Sequence, residues 1–242
     1  MEYYGFDPVL TIIAVLPAVY LLIQVYKADK LDKEPRGLLI SLIFWGILST
    51  AIAVILEGIG QYILSPLDPR SIIYNVILYF VIVGFAEEWG KYIVMKLRTW
   101  KHPAFNCQFD GVVYAVFVSL GFALWENIQY VGIYGFETAI VRAFTAIPGH
   151  ASFAVFMGVW YGMAKRHEYA GNFAKARQCR RLAVIIPALI HGAYDFIATM
   201  GGGGLSILFI VFIVGMFIWA SRLVKTLSKN DRYIGYQGPR DQ

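Results

Sequence analysis

Seven ionisable side chains stand inside apolar segments of this sequence. Glu87, Glu88 and Lys91 lie in "GFAEEWGKYIVM", Glu126 in "GFALWENIQY", His150 in "AIPGHASF", and His191 and Asp195 in "ALIHGAYDF". Carboxylates and imidazoles are the groups that activate water, move protons and hold metals. A carboxylate in a low-dielectric cavity is a stronger base than in water, suited to take a proton from water and return it to a leaving amine. A histidine beside it can donate to an oxyanion or orient the water, and an acid one turn away fixes its tautomer. Peptide hydrolysis asks for that combination.

Such residues are costly in hydrocarbon, at roughly 2.5–3.5 kcal/mol for a central Asp, Lys or Arg. Several together cost on the order of 10 kcal/mol unless they share one paired or wetted cluster. Their spacing permits sharing. Lys91 is four residues from Glu87 and three from Glu88, on one helical face, and His191 and Asp195 are four apart. Pro148 and Pro187 precede the two histidines and loosen the helix where a side chain must be aimed inward. Counted along its helix, Glu87 is about 12 Å and His191 about 13 Å from one membrane face, and His150 about 16 Å from the other. Glu126, at about 24 Å from the start of its segment, sits too far toward the outer side to match them. Each residue also has a quieter explanation: an intramembrane ion pair for Lys91, helix-bridging hydrogen bonds for His150 and Glu126, and a hydrogen-bonded pair for His191 and Asp195. Packing alone does not require four helices to carry such groups at similar depth.

Metal is compatible with the same residues. His150, His191, Glu126 and Glu87 would supply nitrogen and oxygen ligands for zinc and leave a place for water. No H-E-x-x-H occurs, so a metal-free glutamate mechanism remains open.

The elements that must position these groups are membrane helices. Of 242 residues, 58% are hydrophobic and only 15% charged, and mean hydropathy is +0.59, which sets the chain apart from soluble domains. Seven apolar segments long enough to cross about 30 Å of hydrocarbon fall near 8–26, 37–64, 71–95, 110–134, 139–164, 182–200 and 203–224. The expected fold is therefore an all-α polytopic membrane protein, one domain over residues 1–242 with a polar tail from about Lys225. Of the 21 lysines and arginines, 18 fall on one side, Arg70 and Arg142 on the other, and Lys91 within the membrane. The positive-inside rule then puts the amino terminus outside and the carboxyl terminus in the cytoplasm of a multi-pass cell-membrane protein. The start, "MEYYGFDP", lacks a basic n-region, so the first span is read as retained. The net charge of +5 is spread over helix ends without a patch of interleaved aromatics, which argues against nucleic acid. Cys107 and Cys179 fall in cytoplasmic loops as free thiols. Glu57 is expected near the outer interface, Asp110 and Arg142 as caps or snorkelling groups, His102 and His167 as solvated, and "GGGG" at 201–204 as a tight outer turn.

"EEWGK" fits E-E-x-x-K, "FALWE" (Phe122 to Glu126) fits F-x-x-x-E, and "HGAYD" (His191 to Asp195) fits H-x-x-x-D. In this order, one to a helix, they resemble the PrsW family of intramembrane proteases, within the superfamily of CAAX prenyl endopeptidases and bacteriocin-processing enzymes. The resemblance covers Phe85 to Asp195. It implies hydrolysis of a peptide bond in or beside the transmembrane segment of a single-span substrate, such as the first cut of an anti-sigma factor. It also implies Glu87 and Glu88 as catalytic acid and base, joined by His191 and Asp195, with Lys91 paired to a glutamate and Glu126 standing where CAAX-type relatives carry histidine. A proton-coupled transporter would use the same buried groups, but no inverted repeat or paired broken helix accompanies them. A retinal-type receptor is disfavoured by the two glutamates crowding Lys91.

Overall fold

A computed structural model describes residues 7–200 and 203–235. The expectations for the extreme amino terminus, for Gly201 and Gly202 and for the last seven residues lie outside them. Nine α-helices follow in order: α1 (Pro8–Ala28), α2 (Arg36–Leu64), α3 (Ile72–Val76), α4 (Gly84–Thr99), α5 (Asp110–Tyr134), α6 (Phe136–Phe144), α7 (Ala146–Tyr169), α8 (Phe173–Thr199) and α9 (Gly203–Lys229). A π-helical segment, Ile77–Val83, joins α3 to α4. Taken as α3–π–α4 and α6–α7 pairs, these make seven spans long and apolar enough to cross a membrane. The helix starts use the expected chemistry. Asp7 accepts from the backbone N–H of Leu10 at 2.9 Å with Pro8 in the first turn, Ser71 accepts from Tyr74, and Asn172 from Lys175.

Helix α5 is the axis of the bundle. Its most apolar stretch is 78% buried against 22% for α1 and 17% for the last span, so α1 and α9 present most of their surface to lipid. It packs on α1, α2 and α7, while α8 packs on α7 and α4. Close approach of α2 and α5 depends on two glycines: a Cβ on Gly46 would lie 2.1 Å from the Val118 carbonyl oxygen, and one on Gly121 2.3 Å from that of Ile43. Small residues at such crossings are the usual means of packing helices where lipid removes the hydrophobic drive.

Several boundaries differ from expectation: α4, α7 and α9 each run four or five residues past the expected ends of their spans, and three further differences bear on the architecture. Helix α8 starts at Phe173, nine residues before the expected 182, with Asn172 capping it and Arg180 paired in its basic amino-terminal part. Arg180 Nη1 donates to Glu168 Oε2 at 2.6 Å, and Trp100 Nε1 donates to the other carboxylate oxygen at 2.9 Å. The fifth span is two helices broken at Thr145, so Pro148 falls in the first turn of α7, where its missing N–H costs no hydrogen bond. Gly203 and Gly204 open α9 rather than completing a turn. Helix α8 continues through Pro187.

Candidate active site

Glu87, Glu88 and Lys91 sit in the first two turns of α4, immediately after the π-helical segment. The wider π turn closes where the Gly84 N–H reaches the carbonyl of Tyr79, and it changes the register of everything that follows. Gly84 and Gly192 let α4 and α8 meet at this point, since a Cβ on Gly192 would lie 2.7 Å from Phe80 Cα and one on Gly84 2.5 Å from the Ala188 carbonyl oxygen. His191, next to Gly192, is thereby brought to Glu88.

The result is a hydrogen-bonded group drawn from three helices. Lys91 Nζ donates to Glu88 Oε1 at 2.8 Å and to Glu87 Oε2 at 3.0 Å, and lies 3.2 Å from His150 Nδ1. His191 Nδ1 is 3.0 Å from Glu88 Oε1 and 3.9 Å from Glu87 Oε2, and its Nε2 faces Asp195 Oδ2 at 3.4 Å. Glu88 and Lys91 have no exposed surface, and Glu87, His150 and His191 are buried. An ammonium has only protons to offer. His150 therefore accepts at Nδ1 when Lys91 is charged, and the neutral ring carries its proton on Nε2, which donates to Glu126 Oε2 at 2.9 Å. Aromatic rings wall the group: Phe122 lies 4.1 Å beneath the Lys91 ammonium, and Phe153 stacks on His191 at 4.6 Å between centroids.

Glu126 shares this layer despite the depth counted from sequence. The count for His150 assumed a helix running from residue 139, whereas α7 begins at Ala146 and His150 lies only about 6 Å along it. The histidine thus stands nearer the Arg70 end of the bundle, level with Glu126.

Two residues that the sequence placed at the periphery belong to the same place. Arg142 neither caps nor snorkels: its Nη2 donates to Glu126 Oε2 at 2.8 Å and its Nε to Asn127 Oδ1 at 2.7 Å, with the guanidinium 4.1 Å from the Tyr130 ring. Gly135 turns α5 sharply into α6, with φ 78°, which returns residue 142 to the depth of residue 126. The glycine between two apolar segments was the available signal. Glu57 faces inward from α2. It lines a cavity of about 450 Å³ together with Glu87, Glu126, Arg142, His150, His191 and Asp195. Asp110 does not cap α5 either: its Oδ2 accepts from the N–H groups of Asn106 and Cys107, in the loop that precedes the helix. A larger cavity between α1, α7 and α9 is mostly apolar and contains none of these carboxylates.

The donors suit a metal ion. One ligand atom each from Glu87, Glu88, His150 and His191 lies within 4.8 Å of the other three. Glu88 Oε2 is buried without a hydrogen-bond partner, an acceptor that protein groups leave unused. Two imidazoles and two carboxylates are a donor set natural to zinc. The convergent set takes Glu88 where the sequence reading had Glu126, which instead buttresses His150.

The family model described as PrsW family intramembrane metalloprotease matches residues 34–221. Among characterised relatives named Protease PrsW, that of Bacillus subtilis (strain 168) is 32% identical over 76% of this chain and 80% of its own length. That of Oceanobacillus iheyensis is 33% identical over 89% of this chain and 94% of its own, and that of Clostridioides difficile (strain 630) 30% identical over 89% of each. No solved structure matches the chain.

Proposed function

The chain belongs to the PrsW family of intramembrane metalloproteases and is a multi-pass membrane protease, and from that premise we propose that the polar group on α4, α7 and α8 is its catalytic centre. The substrate we infer is a single-span membrane protein such as an anti-sigma factor, cut in or next to its transmembrane segment. The observation that carries this reading is the convergence of Glu87, Glu88, His150 and His191 donor atoms within 4.8 Å, beside a polar cavity inside the bundle.

Glu87, Glu88, His150 and His191 are the residues that would hold a metal. A bound zinc ion would supply Lewis acidity, polarising the scissile carbonyl and lowering the pKa of water. The chain's own groups do the rest. Glu87 borders the cavity, whereas Glu88 is sealed behind it, so Glu87 is assigned as the base, its carboxylate oxygen that would not hold the metal taking the proton from water and returning it to the leaving nitrogen. Asp195 faces Nε2 of His191 and holds its ring so that Nδ1 points at the glutamates. Glu126, itself clamped by Arg142, does the same for His150 through Nε2. Phe122 and Phe153 keep water from the back of the group.

The test is cleavage of a single-span substrate by purified protein in liposomes, before and after chelation, with elemental analysis of the same sample. Cleavage lost on chelation and restored by one equivalent of metal supports the reading. A metal-free sample that cleaves at the full rate would leave the glutamates as a metal-independent acid–base pair.

A further inference from the structure

A second concentration of acids lies at the opposite, basic end of the bundle, where the segments between helices knit together. Asp29 and Asp32 follow α1, Glu34 precedes α2, Asp110 opens α5 and Asp231 follows α9. The loop before α5 joins them. Asn106 Nδ2 donates to Asp32 Oδ2 at 2.9 Å, the Phe109 N–H to Asp231 Oδ1 at 3.0 Å, and the Ile234 N–H to the Asn106 carbonyl at 2.6 Å. Cys107 pairs with Tyr233 as an isolated antiparallel bridge. Glu34 accepts from the Tyr114 hydroxyl at 2.7 Å.

Among the described residues none of these five carboxylates forms an ion pair within 4 Å, and Lys33, the base acting on Asp29, spends its ammonium on the Tyr26 carbonyl. Asp29 and Asp110 have no exposed surface at all. Yet Asp29 Oδ1, Asp110 Oδ1, Asp231 Oδ2 and Asn106 Oδ1 are all buried without a hydrogen-bond donor, four orphaned acceptors in one small region. Buried acceptors are ordinarily satisfied, and like charges packed together without a cation are strongly unfavourable. Burial accordingly pushes the Asp29 carboxyl up to about 6. A cation held among the oxygens removes the same cost.

The position of sulfur indicates which cation. Cys107 Sγ, a carboxylate oxygen of Asp110 and one of Asp231 lie within 4.8 Å of one another, and Cys107 is 1% exposed. Magnesium and calcium take oxygen ligands, whereas a thiolate with carboxylates suits zinc. We propose that Cys107, Asp110 and Asp231 form a zinc-class divalent-cation site, separate from the membrane-embedded group, that ties the segment after α9 to the start of α5. On binding, the Cys107 thiol releases its proton to solvent and its sulfur bonds the metal, so zinc occupancy rises with pH.

Cobalt gives a direct test, because a thiolate ligand produces a near-ultraviolet charge-transfer band that nitrogen and oxygen ligands do not. Full-length protein in detergent, stripped with chelator and titrated with Co²⁺, should show that band, and zinc should abolish it. Cys179 is the other cysteine, so Cys179→Ser should keep the band and Cys107→Ser should lose it. His191→Ala, which disables the membrane group, should also keep it. Asp231→Asn should bind cobalt at least about tenfold more weakly, since even outer-shell losses reach that scale. Absence of the band in the wild type overturns the proposal whatever the variants do, as does a band that survives Cys107→Ser.

Discussion

His150 Nδ1 and Lys91 Nζ approach to 3.2 Å, although the two residues lie on different helices and the ammonium already donates to Glu87 and Glu88. Lysine thus gathers three of the four donors that would hold a metal. It and a divalent cation call on the same lone pairs, so the lysine serves to keep two buried glutamates and a histidine assembled. Removing it leaves two carboxylates facing each other without a cation. Lys91→Ala should therefore lower stability by about 3–5 kcal/mol, the scale of breaking a buried pair. Thermal melting in detergent would show it, and added zinc should raise the melting temperature of this variant more than that of the wild type. A variant that melts like the wild type would mean that the glutamates are protonated and need no counter-charge.

Glu87→Gln keeps the shape of the side chain and removes its basic oxygen. With Glu87 as the general base, turnover of a single-span substrate should fall by about 10²-fold or more while the melting temperature moves little. His191→Ala should be comparably damaging to turnover. Wild-type cleavage by Glu87→Gln would assign the base elsewhere, and Glu57, facing the same cavity from α2, is the first place to look.

Arg142 acts through Glu126. Its guanidinium reaches two acceptors, Glu126 Oε2 and Asn127 Oδ1, through two different nitrogens. Asn127 in turn donates to the Ala14 carbonyl of α1 at 2.8 Å, so the arginine also ties α1 to the centre. Arg142→Ala should cost about 1–3 kcal/mol and lower kcat, because His150 loses its orientation. Arg142→Lys should recover only part of each effect, a single ammonium being unable to reproduce the fork. Unchanged kcat in Arg142→Ala would limit the residue to a structural role.

Consecutive spans alternate in direction, so seven spans set the start of α1 and the end of α9 on opposite sides of the membrane. The sequence assigns 18 of the 21 basic residues to one side of the membrane, and that side should be cytoplasmic. A reporter inserted at Gly171, in the turn between α7 and α8, should read as cytoplasmic and one at the amino terminus as external. Both reading the same side would contradict the seven-span arrangement.

Most of the fold was legible because hydropathy and length are local properties. The spans expected at 8–26, 37–64 and 110–134 differ from α1, α2 and α5 by at most two residues at either end. The residues that converge were legible too, since an ionisable side chain in an apolar run stands out by itself. What escaped depended on how helices meet. Nothing in "ILYFVIV" marks a π-helical segment, because it contains no proline, glycine or polar residue. Arg142 looked peripheral because depth was counted along straight, full-length helices, and the turn at Gly135 and the break at Thr145 invalidate that count; Glu57 was placed by its distance along α2 alone, which does not say that its side chain turns into the cavity. The acids at the basic end were unremarkable singly. They gain meaning only when three separate segments are folded onto one another.

The π-helical segment supplies the last expectation, because it is seated on a glycine. Gly192 has no side chain where Phe80 crosses α8, and a methyl group there would meet Phe80 Cα at 2.7 Å and the Tyr79 carbonyl oxygen at 2.8 Å. Neither is the free end of a flexible side chain, so the helices themselves must separate. Gly192 follows His191 in the chain, and Tyr79 accepts the hydrogen bond that leads into α4 four residues before Glu88. Separation at this point therefore stretches the 3.0 Å contact between His191 Nδ1 and Glu88 Oε1. Gly192→Ala should lose about 1–3 kcal/mol of stability through overpacking, and the catalytic loss should exceed what instability explains. Turnover measured well below its melting temperature should fall about tenfold or more, on the scale by which small misplacements of catalytic groups slow a reaction. Gly215→Ala on lipid-facing α9, where a Cβ meets nothing within 4 Å, is the matched control and should leave both stability and turnover unchanged. Equal behaviour of the two variants would show that the crossing at Gly192 does not set the geometry of the site.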